Sequence, residues 1–309
     1  MNGDRRPFDG EGRNWMARTL LVIERRTAFT ASTRVPRLYR EGGLRSVLSE
    51  IALMSAAYPK ASYYKAMLEI GGSSLDAATL NAVASQAATE LTASDHYLTE
   101  VLGKLAAHPS ANESTWRTFA DAAGRMSSDH YKAATLSKVL KRGHVGAETV
   151  RALLRSASTI GSDHYLAEVL KSVAADYAVS ADTRQYYADA LRSIGSDHYR
   201  RQVLTALNSS GEWDAKTSAV VLTSVGEIKS DYHKSQSLIE LATEGRVQHW
   251  PAWLAAAGTI NSSGRRSRQC SSCARSPGKW WQGFSRWRRI SILTVTSAGC
   301  WRRWRKIIA

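Results

Sequence analysis

The chain has 309 residues, 43% of them hydrophobic, which is enough apolar material for a sizeable core in one or two ordinary domains. Its net charge of +15 points first to nucleic acid or an anionic membrane, but residues 264–309 hold ten Arg, two Lys and no acid, leaving 30 basic against 27 acidic side chains in the rest. No run of about 18 apolar residues occurs, and Met1 to Arg13 is polar rather than a signal peptide, so the sequence as it stands reads as cytoplasmic.

Residues 1–10 read as a disordered lead-in, and Asp4 to Glu11 resembles the middle of a longer protein. Asn14 to Arg26, Arg34 to Glu41 and Leu44 to Ala57 then read as helices that match the later pattern poorly. Residues 11–60 are therefore expected to form an N-terminal helical cap, because terminal repeats are atypical.

From residue 61 to 263 the chain repeats every 34 residues. Ser-Asp-His-Tyr occurs at Ser94 to Tyr97, Ser128 to Tyr131, Ser162 to Tyr165 and Ser196 to Tyr199, and a permuted copy follows at Ser230 to His233. Asp95, Asp129, Asp163, Asp197 and Asp231 are thus in unbroken register, with a divergent earlier copy placed at Ala61-Ser62-Tyr63.

Counting each Asp as position one, Tyr falls at the third position in four copies (Tyr97, Tyr131, Tyr165, Tyr199) and Leu at the eighth in all five (Leu102, Leu136, Leu170, Leu204, Leu238). An aliphatic residue falls at the eleventh (Leu105, Val139, Val173, Leu207, Leu241). With Val101, Val169 and Val203 these mark one face of a helix, here called helix B. The second half of each unit is also helical, over Glu113 to Ala123, Ala147 to Ser158, Ala181 to Ser193 and Trp213 to Ser224, with Phe119, Leu153, Tyr187 and Val221 in one column. This is helix A. Two short helices cannot bury both faces alone, so successive units must stack, and the expected fold is all-α, a right-handed α-solenoid of helix-turn-helix repeats.

The Ser-Asp pair reads as punctuation. Either side chain ahead of helix B can accept hydrogen bonds from its first-turn amides, and the preceding Met126, Ile160, Ile194 and Ile228 can pack back as hydrophobic staples. The alternative is a surface ladder that recognises something, with Asp95, His96, Asp129, His130, Asp163, His164, Asp197, His198 and Asp231 as its binding residues.

Neighbouring helices stand about 8–10 Å apart, whereas zinc needs ligands within about 2 Å, so the repeated histidines are not expected to share a metal. Base catalysis would need a nucleophile and a pocket, and five similar copies argue against one active site. No His-Glu-x-x-His, Walker loop or Gly-x-Ser-x-Gly elbow occurs. The expectation is no enzyme, no metal and no cofactor.

The last helix A runs through Trp250 to Ala257, and Ser262-Ser263 stands where the next capping motif is due. The apolar columns then fail to return while Arg, Trp, Cys and Ser rise together. Residues 264–309 accordingly read as translated out of frame, the alternative being a genuine basic tail. Reading the coding DNA in the other frames past Ser263 tests this, because the correct frame must restore a helix B. Cys270-Ser-Ser-Cys273 has metal or redox spacing, but no second pair follows and Cys300 stands alone.

The 34-residue unit has tetratricopeptide length without the tetratricopeptide signature. Ile160 to Tyr165 with Val169-Leu170, Ile194 to Tyr199 with Val203-Leu204, and Ile228 to Asp231 resemble tandem Ile-x-Ser-Asp-Tyr…Val-Leu units of bacterial proteins. Such units are found in the C-terminal regions of some membrane zinc metallopeptidases of the beta-lactam-sensor type and in related uncharacterised envelope proteins. The lead-in from Arg6-Pro7-Phe8-Asp9 to Arg37 looks similar as well. The peptidase's zinc motif and membrane helices have no counterpart here, so the resemblance implies a detached regulatory array, periplasmic or membrane-associated, and no catalytic residue.

The leading expectation is a non-enzymatic scaffold that binds a protein or peptide on its concave face. The alternative is nucleic-acid or anionic-membrane binding through Arg265 to Lys306.

Overall fold

A computed structural model describes residues 9–70, 75–143, 145–177, 179–210 and 213–260. Residues 1–8 of the lead-in, the basic tail and its cysteines lie outside the described residues, while the end of the expected disordered lead-in is ordered, Asp9 capping the first helix by accepting from the amides of Glu11 and Gly12 at 3.1 and 3.0 Å. Among those described the chain is all-α, with fourteen helices. It divides into two compact units, residues 1–199 and 200–309.

In the first unit α1 (Gly10–Thr27) and α2 (Ala31–Ala52) lead into α3 (Ala57–Glu69). The helix-A elements follow as α4 (Ala77–Glu90), α6 (Glu113–Gly124), α8 (Ala147–Ala157) and α10 (Arg184–Ser193), alternating with the helix-B elements α5 (Asp95–Ala106), α7 (Asp129–Leu140) and α9 (Asp163–Asp176). Each helix packs on its chain neighbour and also on the helix two places along, so that α3, α5, α7 and α9 form one row and α4, α6, α8 and α10 another. The core lies between the rows. Phe119, Leu153 and Tyr187 are buried on one side of it, facing Leu102, Leu136, Leu170, Leu105, Val139 and Val173 on the other, as the apolar columns require.

Helix α11 (Asp197–Ser209) runs across the division at residue 200, and the second unit also contains α12 (Ala215–Gly226), α13 (Asp231–Thr243) and α14 (Trp250–Gly258). There α12 packs on both α13 and α14. Leu204, Leu207, Val221, Leu238 and Leu241 are all buried.

Helix starts differ from the sequence reading where local turn chemistry intervenes. α10 begins at Arg184 rather than Ala181, because the Thr183 hydroxyl accepts from the Ser180 amide at 3.1 Å and holds residues 181–183 in a turn. α12 begins at Ala215 rather than Trp213, because Asp214 caps it by accepting from the Thr217 amide at 2.7 Å. The two helices expected around Gly42-Gly43 merge into α2 across a kink, where Gly43 takes φ 63°, a conformation that costs a side-chain-bearing residue dearly.

A polar knot ties the first three helices. Glu24, buried on α1, accepts from the Tyr63 hydroxyl on α3 at 2.8 Å and from the Thr30 amide at 2.9 Å. Glu50 on α2 accepts two bonds from Arg25, at 2.9 and 3.1 Å, and one from Arg34 at 3.3 Å. Burial pushes the Glu50 carboxyl up, but the Arg25 hydrogen bond and the charges of Arg25 and Arg34 outweigh it and hold the group below its ordinary value.

A carboxylate held low in the folded state contributes stability above its unfolded pKa of about 4.3, and that contribution is lost as pH falls through the folded value. Glu50→Gln is therefore expected to lower stability near neutral pH, and its gap from the wild type should close below about pH 4 in parallel thermal melts. A gap that stays constant over that range would contradict the ion-pair account.

Candidate binding surface

Asp95, Asp129 and Asp163 do not act on their own helices in the way the sequence suggests, whereas at the head of α13 the expected serine cap forms, the Ser230 hydroxyl accepting from the His233 amide at 3.5 Å. Ser94, Ser128 and Ser162 occupy the N-cap positions of α5, α7 and α9, but none makes a side-chain capping bond. These three aspartates instead reach into the following repeat. Asp95 accepts from the amides of Ser127 and Ser128 at 2.9 and 2.6 Å. Asp129 accepts from Gly161 and Ser162 at 3.2 and 2.8 Å, and Asp163 from Gly195 and Ser196 at 3.0 and 2.7 Å.

The expected local cap is thus a clamp between repeats. The carboxylate satisfies two backbone donors just ahead of the next helix B, and it still sits in its own helix's first turn, where negative charge is favoured. In the helix-A row of the same compact unit side-chain caps of the usual kind occur: Asp76 accepts from Thr79 at 2.8 Å, and Asn112 from Ser114 and Thr115 at 3.1 and 3.3 Å. Glu113 repeats the cross-unit device there, accepting from Gly146 at 3.1 Å and Thr149 at 2.8 Å at the head of α8.

With Asp turned into the junction, the next two residues of each helix B lie at the surface. His96, His130, His164 and His198 are exposed, and Tyr97, Tyr131, Tyr165 and Tyr199 are half-buried. The tyrosines, read from the sequence as part of the apolar face, lie at its edge. The buried position is the one after them, held by Leu98 and Leu166. In α7 that position is Lys132, buried with its ammonium donating to the Thr159 hydroxyl at 2.9 Å.

The rings form one continuous stack along the first unit. His96 lies 5.0 Å from Tyr97 and 6.0 Å from Tyr131, His130 lies 5.1 Å from Tyr131 and 5.6 Å from Tyr165, and His164 lies 5.0 Å from Tyr165 and 5.5 Å from Tyr199. His198 ends it, 5.2 Å from Tyr199. Most of these pairs meet edge to face, the arrangement that ring quadrupoles favour.

At the other end the stack is continued by Tyr58, 6.0 Å from Tyr97, and not by Tyr63, which is fully buried. The register between α3 and α5 is thus 38 residues rather than 34, with Ala57 standing where Asp95 stands and Tyr58 where His96 stands. In the permuted copy the ring types exchange while the positions persist: Tyr232 is exposed, and His233 is half-buried 5.2 Å away. Asp197 and Asp231 are half-buried at the heads of α11 and α13.

The arrangement is a strip of alternating imidazole and phenol edges, offering flat contact surface together with donors and acceptors. Among the described residues no three His, Cys, Asp or Glu side chains stand together as a metal site, and no helix is long and apolar enough to cross a membrane. The fold and this strip define an all-helical repeat protein. No family model, curated protein or solved structure matches the chain.

Proposed function

We propose that the chain is a non-enzymatic, right-handed solenoid scaffold whose partner is a protein or an extended peptide, and that the His–Tyr strip contributes to the contact surface. The observation that carries this reading is the repetition of exposed imidazoles, His96, His130 and His164, alternating with the half-buried rings of Tyr131 and Tyr165, on a framework whose aspartates Asp129 and Asp163 are already committed to the backbone. Aromatic side chains with a polar edge give large contact area at low conformational cost, which is why they dominate binding hot spots. Rigid helices presenting them at a regular interval suit an elongated ligand better than a small molecule. The same surface would serve a regulatory array separated from a membrane metallopeptidase, the role implied by the resemblance of the repeats.

Peptide-display selection against the full chain tests this. Selected peptides are expected to bind the double variant His130→Ala/Tyr165→Ala at least about tenfold more weakly, the loss of roughly one hot-spot residue. Unchanged affinity would remove the strip from the binding surface.

The composition of residues 264–309 supports a second reading, in which ten Arg and two Lys among five Trp hold a polyanion. Deleting that segment is then expected to abolish binding to single-stranded nucleic acid and to anionic vesicles. Retention of either would place the polyanion site in the nearly neutral repeats.

A further inference from the structure

The first described helix, α1, turns apolar side chains away from the rest of the protein. A surface helix ordinarily buries its apolar stripe against a neighbour and turns a polar face to water. On α1 the buried residue is Glu24, while Trp15, Met16, Leu20, Val22 and Ile23 are exposed by between 42 and 53%. At 3.6 residues per turn these five side chains span an arc of about 160°, and Glu24, Leu21 and Arg25 lie on the opposite side. Towards the C-terminal end of α1 that opposite side meets the protein, where Glu24 bonds to Tyr63 and Arg25 to Glu50, while Asn14, Ala17 and Arg18 nearer its start are exposed. The apolar arc is therefore a contiguous outward-facing stripe, of a kind that single-copy proteins seldom leave bare.

We propose that a second copy of this chain covers the stripe through an antiparallel, two-fold pairing of α1 with α1. Charge placement selects this occupant. The first turn carries Glu11 and the last turn Arg25 and Arg26, of which Glu11 and Arg26 are exposed. An antiparallel pair sets the acidic end of each helix beside the basic end of the other, forming the Glu11–Arg26 pairing twice, and opposes the two helix dipoles favourably.

Centred near Thr19, which lies within the apolar arc, the same register lays Trp15 beside Ile23 of the second copy and Met16 beside Val22. Four of the five apolar side chains of the arc then lie beside one another, and Leu20, one residue from the axis, lies next to its own counterpart, as self-complementarity about a two-fold axis demands. The pairing would also join two binding strips into one bivalent particle.

Sedimentation velocity on the full 309-residue chain, from about 1 to 100 µM, tests the proposal. The wild type is expected to be dimeric in the upper part of that range, and Leu20→Glu monomeric throughout with an unchanged helical circular-dichroism melt. Glu11→Arg should weaken the dimer at least about tenfold, and the charge-swapped Glu11→Arg/Arg26→Glu should return it to within about threefold of wild type. A monomeric wild type at the top of the range overturns the proposal. So does any assembly that Leu20→Glu leaves intact, or a charge swap that fails to restore what Glu11→Arg removes.

Discussion

Phe119→Ala is expected to destabilise the protein by about 3–5 kcal/mol, the range for emptying a fully buried aromatic site. Phe119 has no exposed surface, and it occupies the column that Leu153 and Tyr187 fill in the next two units of the same core. Loss of the ring removes contacts on both sides, because each helix A packs against the one before and the one after it, and two-sided packing leaves little room for collapse into the void. Val221→Ala at the equivalent place in the other unit removes fewer carbons and should cost roughly half as much. Urea denaturation followed by far-ultraviolet circular dichroism measures both. A cost below about 1 kcal/mol at Phe119 would contradict its place in the core.

The second large effect is expected at Asp129. Asp129→Ala strips two backbone donors of their acceptor, the amides of Gly161 and Ser162, and hydrogen bonds to charged groups contribute about 1.5–3 kcal/mol each when shielded. One bond here is exposed and the other half-buried, so the combined loss should be about 2–3 kcal/mol rather than the full sum. Its neighbour supplies the control. Ser128 holds the N-cap position of α7 without a side-chain capping bond, so Ser128→Ala should change stability by less than about 0.5 kcal/mol. A local cap would give the opposite ranking, with the serine costing about 1 kcal/mol. The two single variants therefore separate a clamp between repeats from a cap within one.

The comparison between Ser128 and Asp129 also shows what the sequence can reveal. The apolar columns were legible because two periods coincide: the 3.6-residue turn places Leu136 and Val139 on one face, and the 34-residue unit carries that face from helix to helix. The destination of the Asp129 carboxylate was not. A helix-start aspartate satisfies its own first turn or a neighbouring backbone with equal chemical propriety, and only the position of the next repeat decides between them. Tyr58 was missed for a related reason. An unvarying 34-residue step led to Tyr63, whereas four additional residues between α3 and α5 move the equivalent position. The outward apolar face of α1 was also hidden, since periodicity defines a stripe without saying which side meets the protein. The binding strip was half legible: its histidines were singled out, while its tyrosines were assigned to the apolar face because their ring carbons count as hydrophobic in any pattern. Four tandem copies of adjacent His and Tyr were the signal that both rings share one surface.

The central structural claim is that Asp95, Asp129 and Asp163 each join one repeat to the next. Amide hydrogen exchange, read residue by residue by nuclear magnetic resonance, tests it most directly at Ser128, Ser162 and Ser196, which precede helices and would otherwise have no intrahelical acceptor. The account predicts slow exchange at all three in the wild type, and loss of protection at Ser162 alone of the three in Asp129→Ala. Rapid exchange at these amides in the wild type, or protection at Ser162 that survives the substitution, would contradict it.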